Sequence, residues 1–451
     1  MTKNIKLFFK NLSSAEVITL GFAGIILFGA FLLMLPISSR DGSFTPFLDC
    51  LFTSTSAVCV TGLIIYDTFT HWSFFGQLVI ISLIQIGGMG VITVALILFL
   101  LSGKKISLRQ RLIMNDSISG SGTGGIIRFT GFIIKAILTV ELCGALLLAS
   151  RFIPQMGIIN GIWAGIFHSI SAFCNAGFDL MGQYEPFSSL CLYISDPIVN
   201  LTIMALIIIG GIGFIVWKDI LKNGLNFRNY KLHSKLVLIT TALILILPAL
   251  FFFFYEFNLP QWEWMTIEEK AWASAFQSVT PRTAGFNTVD LTKYSPTSYL
   301  ITVILMLIGG SPASTAGGFK TTTIAVLILC SISFMKRDES INVFNRRIAN
   351  DTINNAVTVL FMYIFLLFAG SSIISIVDGL SLPDCVFECA SAIATVGLSC
   401  GVTAECSEFS RIVLITLMYL GRVGGLTILF AISRQPENVI VHKPLEDVTI
   451  G

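Results

Sequence analysis

Four segments of the 451-residue chain share one order of residues, in which small or hydroxyl-bearing residues precede a single glycine. They are TSTSAVCVTGL (53–63), HSISAFCNAGF (168–178), FQSVTPRTAGF (276–286) and ECASAIATVGL (388–398). Glycine tolerates backbone dihedrals that other residues avoid, so such a loop can turn successive carbonyl oxygens to one side. Rings of backbone carbonyls can replace the water around a small cation. The four segments therefore predict a cation-binding pore rather than a catalytic cleft.

The glycines of these segments recur at nearly equal intervals, at Gly62, Gly177, Gly285 and Gly397, which indicates one unit repeated four times. Each unit has an apolar span, a short helix, the glycine loop and a second span. The short helices are predicted near 46–58, 160–172, 266–280 and 381–393. The spans are predicted near 17–37 and 73–101, 129–150 and 197–217, 236–255 and 297–333, and 354–377 and 410–432. A short helix that aims its C-terminal end at the loop would add partial negative charge there, which favours a cation.

The composition supports a membrane protein, because 54% of the residues are hydrophobic and only 12% are charged, against about 25% charged in soluble proteins. The first apolar run, 17–37, is predicted to be a span and not a cleaved signal. The fold class expected is therefore all-α, with eight transmembrane helices and four pore helices around a pseudo-fourfold pore. The chain contains no metal-spaced His/Asp/Glu set, nucleophile elbow or HExxH motif, so we expect no enzyme activity.

The basic residues predict the orientation, because most of the 28 Lys and Arg residues fall in the termini and in alternate loops. By the positive-inside rule both termini are cytoplasmic and the glycine loops face outside, with Arg282 counted among the outer cations. The predicted organisation is a cytoplasmic N-terminus (1–16), pore units at 17–103, 104–222, 223–337 and 338–433, and a cytoplasmic tail (434–451). The cysteines are expected to be small buried hydrophobes, although Cys400 and Cys406 could pair.

A second glycine cluster recurs in the second span of each unit, as IGGMG (86–90), IGGIG (209–213), IGGSP (308–312) and LGRVGG (420–425). In the first two units close helix packing is the simplest interpretation. The third unit continues as GGSPASTAGGFKTTT (309–323), where Pro312 and four glycines should break the helix, which predicts a gate below the glycine loops. The fourth unit has Arg422 in place of a glycine, which predicts an electrostatic barrier to cations.

The four loops, the broken third-unit span and Arg422 together resemble the Ktr/Trk/HKT superfamily of potassium transporters over essentially the whole chain. The resemblance is closest to the membrane subunit of a bacterial Ktr-type potassium uptake system, because eight spans are present without an extra N-terminal pair. It implies a potassium-channel-like pore in each subunit, a homodimer, and a separate cytoplasmic ring of nucleotide-binding subunits. A nucleotide is expected only on that partner, and this chain is expected to hold no cofactor.

The resemblance also assigns residues. The ion-binding selectivity filter, with potassium as the bound and transported ion, maps onto Val60, Thr61, Gly62, Asn175, Ala176, Gly177, Thr283, Ala284, Gly285, Thr395, Val396 and Gly397. The gating loop maps onto 309–322, with the gate residues Gly309, Gly310, Ser311, Pro312, Ala313, Ser314, Thr315, Ala316, Gly317, Gly318 and Lys320. The pore arginine maps onto Arg422. In plant relatives a serine at the first filter glycine accompanies sodium preference, so Gly62 favours potassium.

The function expected is potassium uptake across the cytoplasmic membrane, gated by the intramembrane loop under control of the cytoplasmic partner. Sodium stimulation is left open. The main alternative is an ion-coupled secondary cation transporter that uses Glu141, the one acid deep in a predicted span. A membrane enzyme and a purely structural subunit are weaker alternatives. The basic inner loops and the tail either dock the ring or only anchor the protein to membrane lipid, and no nucleic-acid partner is expected.

Overall fold

The computed structural model describes residues 13–90, 126–224, 226–338 and 340–424. This part of the chain is almost entirely helical. The first two units contain α1 (Ser14–Leu33), α2 (Phe47–Cys59), α3 (Thr68–His71), α4 (Phe74–Met89), α5 (Ile126–Met156), α6 (Ile158–Cys174), α7 (Pro197–Ile212) and α8 (Phe214–Asn223). The other two contain α9 (Leu232–Phe254), α10 (Ile267–Val279), α11 (Pro296–Leu307), α12 (Thr321–Met335), α13 (Asn350–Asp378), α14 (Leu382–Ala394), α15 (Val402–Glu405) and α16 (Glu408–Val423).

The regular structure outside these α-helices is short. An antiparallel hairpin pairs β1 (Asn342–Val343) with β2 (Arg346–Arg347) between α12 and α13. Single 3₁₀ turns occur at Pro36–Ser38, Met181–Gln183, Cys191–Tyr193, Phe227–Asn229, Glu256–Asn258, Pro260–Trp262 and Leu291–Lys293. Cys400 and Cys406, whose pairing the sequence left open, are both free thiols.

Helix starts carry the capping residues that local chemistry favours. Ser13 and Glu16 form a reciprocal capping box at α1, and Thr266 and Glu269 form another at α10. Asp196 accepts hydrogen bonds from the first free backbone N–H groups of α7, directly before Pro197. These contacts satisfy N–H groups that a helix start otherwise leaves unpaired, so apolar runs with such starts fold as helices.

Four helical stretches of the described residues are long and apolar enough to cross a membrane: Ala15–Leu33, Phe129–Met156, Leu232–Asn258 and Asn350–Asp378. The pair α7 and α8 makes a fifth if it is counted as one span, although the two helices meet at 94°. Shorter apolar helices occur at Phe47–Cys59, Phe74–Met89, Ile158–Cys174, Pro296–Leu307 and Thr321–Met335. The protein is therefore a mostly helical protein with several candidate membrane spans.

The first two units pack alike, which supports their common origin as repeats. In the first, Ser54 of α2 donates to the carbonyl oxygen of Ile26 at 2.7 Å. In the second, Ser169 of α6 donates to the carbonyl oxygen of Glu141 at 2.6 Å. A Cβ atom placed on Gly29 would lie 2.5 Å from the Ser54 hydroxyl. The same atom on Gly144 would lie 2.6 Å from the Ser169 hydroxyl, so both glycines let a span approach a short helix closely.

The second spans differ from the sequence prediction. The span predicted at 197–217 is not straight but bends at Gly213, where φ is 99°. Gly90 and Gly424 also have positive φ and end α4 and α16, so the glycine clusters stop helices as well as pack them. The span predicted at 297–333 is interrupted between α11 and α12, as expected from its glycines and proline. The ends predicted for 73–101 and 410–432, and the tail 434–451, reach outside the described residues.

Candidate functional site

Three of the short helices end in the same C-terminal motif. The residue after the helix takes a left-handed conformation, with φ of 58° at Val60, 61° at Asn175 and 54° at Thr395. The next N–H group then bonds back to a serine carbonyl five residues earlier, and the N···O distances at Ser56, Ser171 and Ser391 lie between 2.7 and 2.8 Å. This is a Schellman motif, which turns the chain sharply away from the helix axis.

The third short helix also turns sharply into its glycine loop, but its hydrogen-bond pattern is different. It ends at Val279, and Thr283 is the residue with positive φ, at 64°. The backbone N–H of Ala284 bonds to the carbonyl oxygen of Thr280 at 3.0 Å. Pro281 and Arg282 lie in the intervening turn. The third loop therefore has its own geometry, which the shared glycine pattern did not reveal.

One hydroxyl group in or directly after each short helix supports its glycine loop. The hydroxyls of Ser56 and Ser391 accept the N–H groups of Gly62 and Gly397, both at 3.0 Å. In the other two units the hydroxyl donates to the carbonyl oxygen after the glycine, at 2.7 Å from Ser171 to Phe178 and 2.6 Å from Thr280 to Phe286. Because these groups are buried, each bond both orients the loop and avoids an unpaired polar group.

The structure brings the four loop glycines together in cyclic order. A Cβ placed on Gly62 would lie 2.4 Å from the carbonyl oxygen of Ala176, in the next unit's loop. The corresponding distances are 2.7 Å from Gly177 to Ala284, 2.5 Å from Gly285 to Val396, and 2.3 Å from Gly397 to Thr61, which closes the circle. All four glycines have positive φ. Only a residue without a side chain fits here, for both steric and conformational reasons.

The segment between α11 and α12, which we call the insert (308–320), folds into a closed loop. Its two ends pair through a parallel bridge between Ile308 and Phe319, and Gly309 N–H bonds to the Phe319 carbonyl oxygen at 2.9 Å. The Lys320 ammonium group donates to the carbonyl oxygens of Ala316 and Gly317, at 2.8 and 3.2 Å. These bonds satisfy carbonyl groups of the insert that no regular helix pairs.

The insert docks on the end of α7 and beneath two glycine loops. The N–H groups of Ser311 and Thr315 bond to the carbonyl oxygens of Gly211 and Gly210, at 2.9 and 3.3 Å. A Cβ on Gly317 would overlap the Thr395 hydroxyl of the fourth loop, at 1.8 Å. A Cβ on Gly318, whose φ is 64°, would lie 3.2 Å from the carbonyl oxygen of Ala394. The insert thus contacts the second unit and the fourth unit at once.

Arg422 lies where the insert, α16 and α4 meet. Its guanidinium group donates to the carbonyl oxygens of Thr315 and Gly87. None of the ion pairs found among the described residues includes it. Its positive charge is therefore held by carbonyl oxygens and not by a carboxylate, so it remains a net charge beside the insert.

Arg282, which the sequence analysis counted among the outer cations, is buried. It is only 1% exposed and lies at the base of the third glycine loop. Its three guanidinium nitrogens have no hydrogen-bond partner among the described residues. The equivalent places in the other loops hold Cys59, Cys174 and Ala394. That contrast between one arginine and three small residues is the feature of the sequence that could have marked Arg282 as a residue of the site.

Two further polar groups connect neighbouring units. The Glu141 carboxylate accepts hydrogen bonds from the Gln85 side chain, at 3.0 and 3.2 Å, which joins α5 to α4. Arg411 of α16 forms an ion pair of 2.7 Å with Asp49 of α2, and the Tyr66 hydroxyl also donates to that carboxylate. Beyond the second loop, burial raises the pKa of Asp179 to about 7, and the nearby Asp67 carboxylate adds to the effect.

Comparisons with known proteins give the family of the chain and a similar fold. A family model described as TrkH, cation transport protein, matches residues 26–443. The potassium/sodium uptake protein NtpJ of Enterococcus hirae is 38% identical over 98% of both chains. The Ktr system potassium uptake protein B of Bacillus subtilis is 38% identical over 96% of both. The crystal structure of the potassium transporter TrkH from Vibrio parahaemolyticus is similar in fold, with a TM-score of 0.70 and 18% identity over 94% of this chain and 86% of that one.

Proposed function

Because this chain belongs to the TrkH family of cation transport proteins, we propose that it is the potassium-conducting membrane subunit of an uptake system. The family consists of transporters, so the chain is not an enzyme, and its relatives are named for potassium uptake or for potassium and sodium uptake. The observation that carries the proposal is the cyclic contact of Gly62, Gly177, Gly285 and Gly397. Four loops in a closed circle can offer carbonyl oxygens to one ion from all sides.

In this proposal potassium loses its water to the carbonyl oxygens of the three residues that end at each loop glycine. These are Val60 to Gly62, Asn175 to Gly177, Thr283 to Gly285 and Thr395 to Gly397. The C-terminal ends of three short helices turn sharply into these loops, so their partial negative charge lies close to the ion. Carbonyl dipoles favour a cation without fixing a full negative charge, which allows the ion to leave again.

The insert is proposed as the gate. It contacts the second loop region through Gly210 and the fourth through Thr395, and these belong to units on opposite sides of the circle. A segment that joins opposite units must pass across or beside the axis between them. Arg422 adds a positive charge at the same level, which opposes the passage of a cation until the insert moves.

The remaining assignments are proposals drawn from the relatives. The Ktr system in the name of the Bacillus subtilis relative suggests a regulatory partner. We propose a homodimer with cytoplasmic termini, joined to a cytoplasmic ring of nucleotide-binding subunits. A cavity of about 760 Å³ is lined by basic residues of the β-hairpin and of the loop before α9, which give that side of the protein positive charge. They are Arg228, Lys231, Lys235, Arg346 and Arg347. Such charge suits an anionic membrane surface or an acidic partner.

The test is growth of a potassium-uptake-deficient bacterium at low potassium, with and without sodium, when this chain is expressed with a Ktr-type ring. Restored growth is the expected result. Deletion of residues 311–318 should raise rubidium flux in proteoliposomes, because it removes the proposed gate. No potassium or rubidium flux by the purified complex would overturn the proposed function, whereas unchanged flux after the deletion would overturn only the gate.

A further inference from the structure

Thr315 is the residue of the insert that is most heavily engaged with the rest of the site. Its N–H group bonds to the Gly210 carbonyl oxygen at 3.3 Å, and its carbonyl oxygen accepts a bond from Arg422. Its hydroxyl oxygen lies 3.0 Å from the Phe173 carbonyl oxygen and 3.1 Å from Oδ1 of Asn175. The hydroxyl has one proton to share between these two acceptors. Both Thr315 and Asn175 are buried.

The Asn175 side chain also forms a hydrogen bond to the third glycine loop. While its Oδ1 atom faces Thr315, its Nδ2 atom donates to the carbonyl oxygen of Arg282 at 3.1 Å. That carbonyl belongs to the residue directly before Thr283. The places equivalent to Asn175 in the other loops are Val60, Thr283 and Thr395, none of which has an amide. This amide therefore connects the insert, the second loop and the third loop. Only the second unit has an amide side chain at this position.

We propose that the Thr315 hydroxyl and the Asn175 amide form a polar bridge that couples the position of the insert to the ion selectivity of the glycine loops. The inference rests on the proposed function, in which the insert is the gate. If the insert moves away, Oδ1 of Asn175 loses a hydrogen-bond donor in a buried place, where an unpaired polar group is costly. The amide is then free to turn, and the Arg282 carbonyl loses its fixed partner.

The coupling makes a specific prediction about potassium selectivity. With the insert docked, the glycine loops should bind potassium in preference to sodium more strongly than with the insert displaced. Two sites that share one buried contact influence each other equally in both directions, and the effect of one hydrogen bond is about fivefold in an equilibrium constant. Asn175 and Thr315 are thus positioning residues, which act on the loop carbonyls without being ligands to the ion in this role.

The experiment measures the ratio of potassium to sodium affinity by isothermal titration calorimetry on the purified complete uptake complex in its non-conducting state, in which the insert is docked. Thr315→Val removes the hydroxyl at nearly constant volume and should lower the ratio about fivefold, whereas Thr315→Ser keeps the hydroxyl and should restore it. Asn175→Gly removes the amide while tolerating the φ of 61° at this place, and should lower the ratio similarly. Thr302→Val is the matched control, because the hydroxyl of this buried threonine donates within α11, to the carbonyl oxygen of Ser298.

The double variant decides between a bridge and two separate effects. If Thr315→Val and Asn175→Gly act through one bridge, their combination should lower the ratio no further than either alone. Full additivity, or a ratio unchanged in Thr315→Val, would overturn the bridge. Gly62→Ser separates this outcome from failure of the proposed function, since it should alter selectivity even without any bridge. If Gly62→Ser also left the ratio unchanged, the filter assignment itself would be wrong.

Discussion

Replacement of Gly62 by serine tests the circle of glycine loops most directly. The new Cβ would lie 2.4 Å from the carbonyl oxygen of Ala176 and 3.2 Å from the Cα atom of Gly397, where ordinary contact begins at 3.4 Å. Both neighbours are backbone atoms in a tightly packed region, so the Ala176 carbonyl must retreat by about 1 Å. The φ of 95° adds a strain of about 1 to 2 kcal/mol for a residue with a side chain.

The displaced carbonyl should weaken potassium binding more than sodium binding, because a carbonyl ring that has been fixed for potassium no longer surrounds it on all sides. We expect the potassium-to-sodium permeability ratio to fall about tenfold, which corresponds to about 1.4 kcal/mol. The measurement is cation flux in proteoliposomes under opposed potassium and sodium gradients. The melting temperature of the variant in detergent shows how much of the change is strain in the folded state.

Gly42→Ser is the matched control for this variant. Gly42 also has positive φ, at 70°, but no atom of the described residues lies within 4 Å of the place its Cβ would take. It therefore introduces a similar backbone strain without any contact at the circle of loops. An unchanged permeability ratio in Gly62→Ser, or an equal loss in Gly42→Ser, would refute the argument from carbonyl displacement.

Three further predictions concern charged groups around the site. Arg411→Met leaves the buried Asp49 carboxylate without its ion pair and should lower the free energy of unfolding by about 3 kcal/mol; an unaltered thermal melt in detergent would contradict this. Asp179 has its pKa raised to about 7, so it is charged above and neutral below that pH. Potassium uptake at low potassium should therefore decline as external pH falls from 8 to 6, and Asp179→Asn should flatten that profile; the same decline in the variant would exclude this group. Glu141→Gln should retain uptake, because a glutamine can still bond to Gln85. Abolished uptake, with filter glycine variants that keep their selectivity, would favour the ion-coupled alternative.

The sequence predicted the short helices and the broken third span well, because both depend on local chemistry. The prediction of 46–58 compares with the helix Phe47–Cys59, and 381–393 compares with Leu382–Ala394. A proline after a pair of glycines cannot continue a helix, so the interruption at 308–320 required no tertiary information. The cyclic contact of the glycines was inferred from their repeated pattern and agrees with the close approaches between the loops.

The bend at Gly213 was missed because the same IGGxG pattern serves two purposes. In α4 and α7 the first glycine of the cluster allows close contact with a short helix, with Cβ distances of 2.0 Å to the carbonyl oxygens of Val58 and Phe173. The last glycine of the cluster takes positive φ and ends the helix. A packing motif and a helix stop look alike in sequence when both need only glycine. Whether a glycine packs a helix or ends it depends on the contacts that the following residues make. Here the N–H group of Phe214, the residue after Gly213, bonds to the Ala313 carbonyl oxygen of the insert.

Arg282 shows why charge counting cannot replace geometry. The positive-inside rule treats every arginine near a loop as a marker of one membrane side, whereas this guanidinium group is buried beside the third glycine loop. A Cβ on Gly211 would lie 3.8 Å from its Nη2 atom, and Gly211 is the residue of α7 that corresponds to Arg422 of α16. Arg422 in turn donates to the carbonyl oxygen of Gly87 in the first unit. At each of these two contacts between successive units one side holds an arginine and the other a small residue. Arg282 and Arg422 thus place two cationic groups near the circle of loops. Each arginine has room because the residue facing it in the neighbouring unit is small.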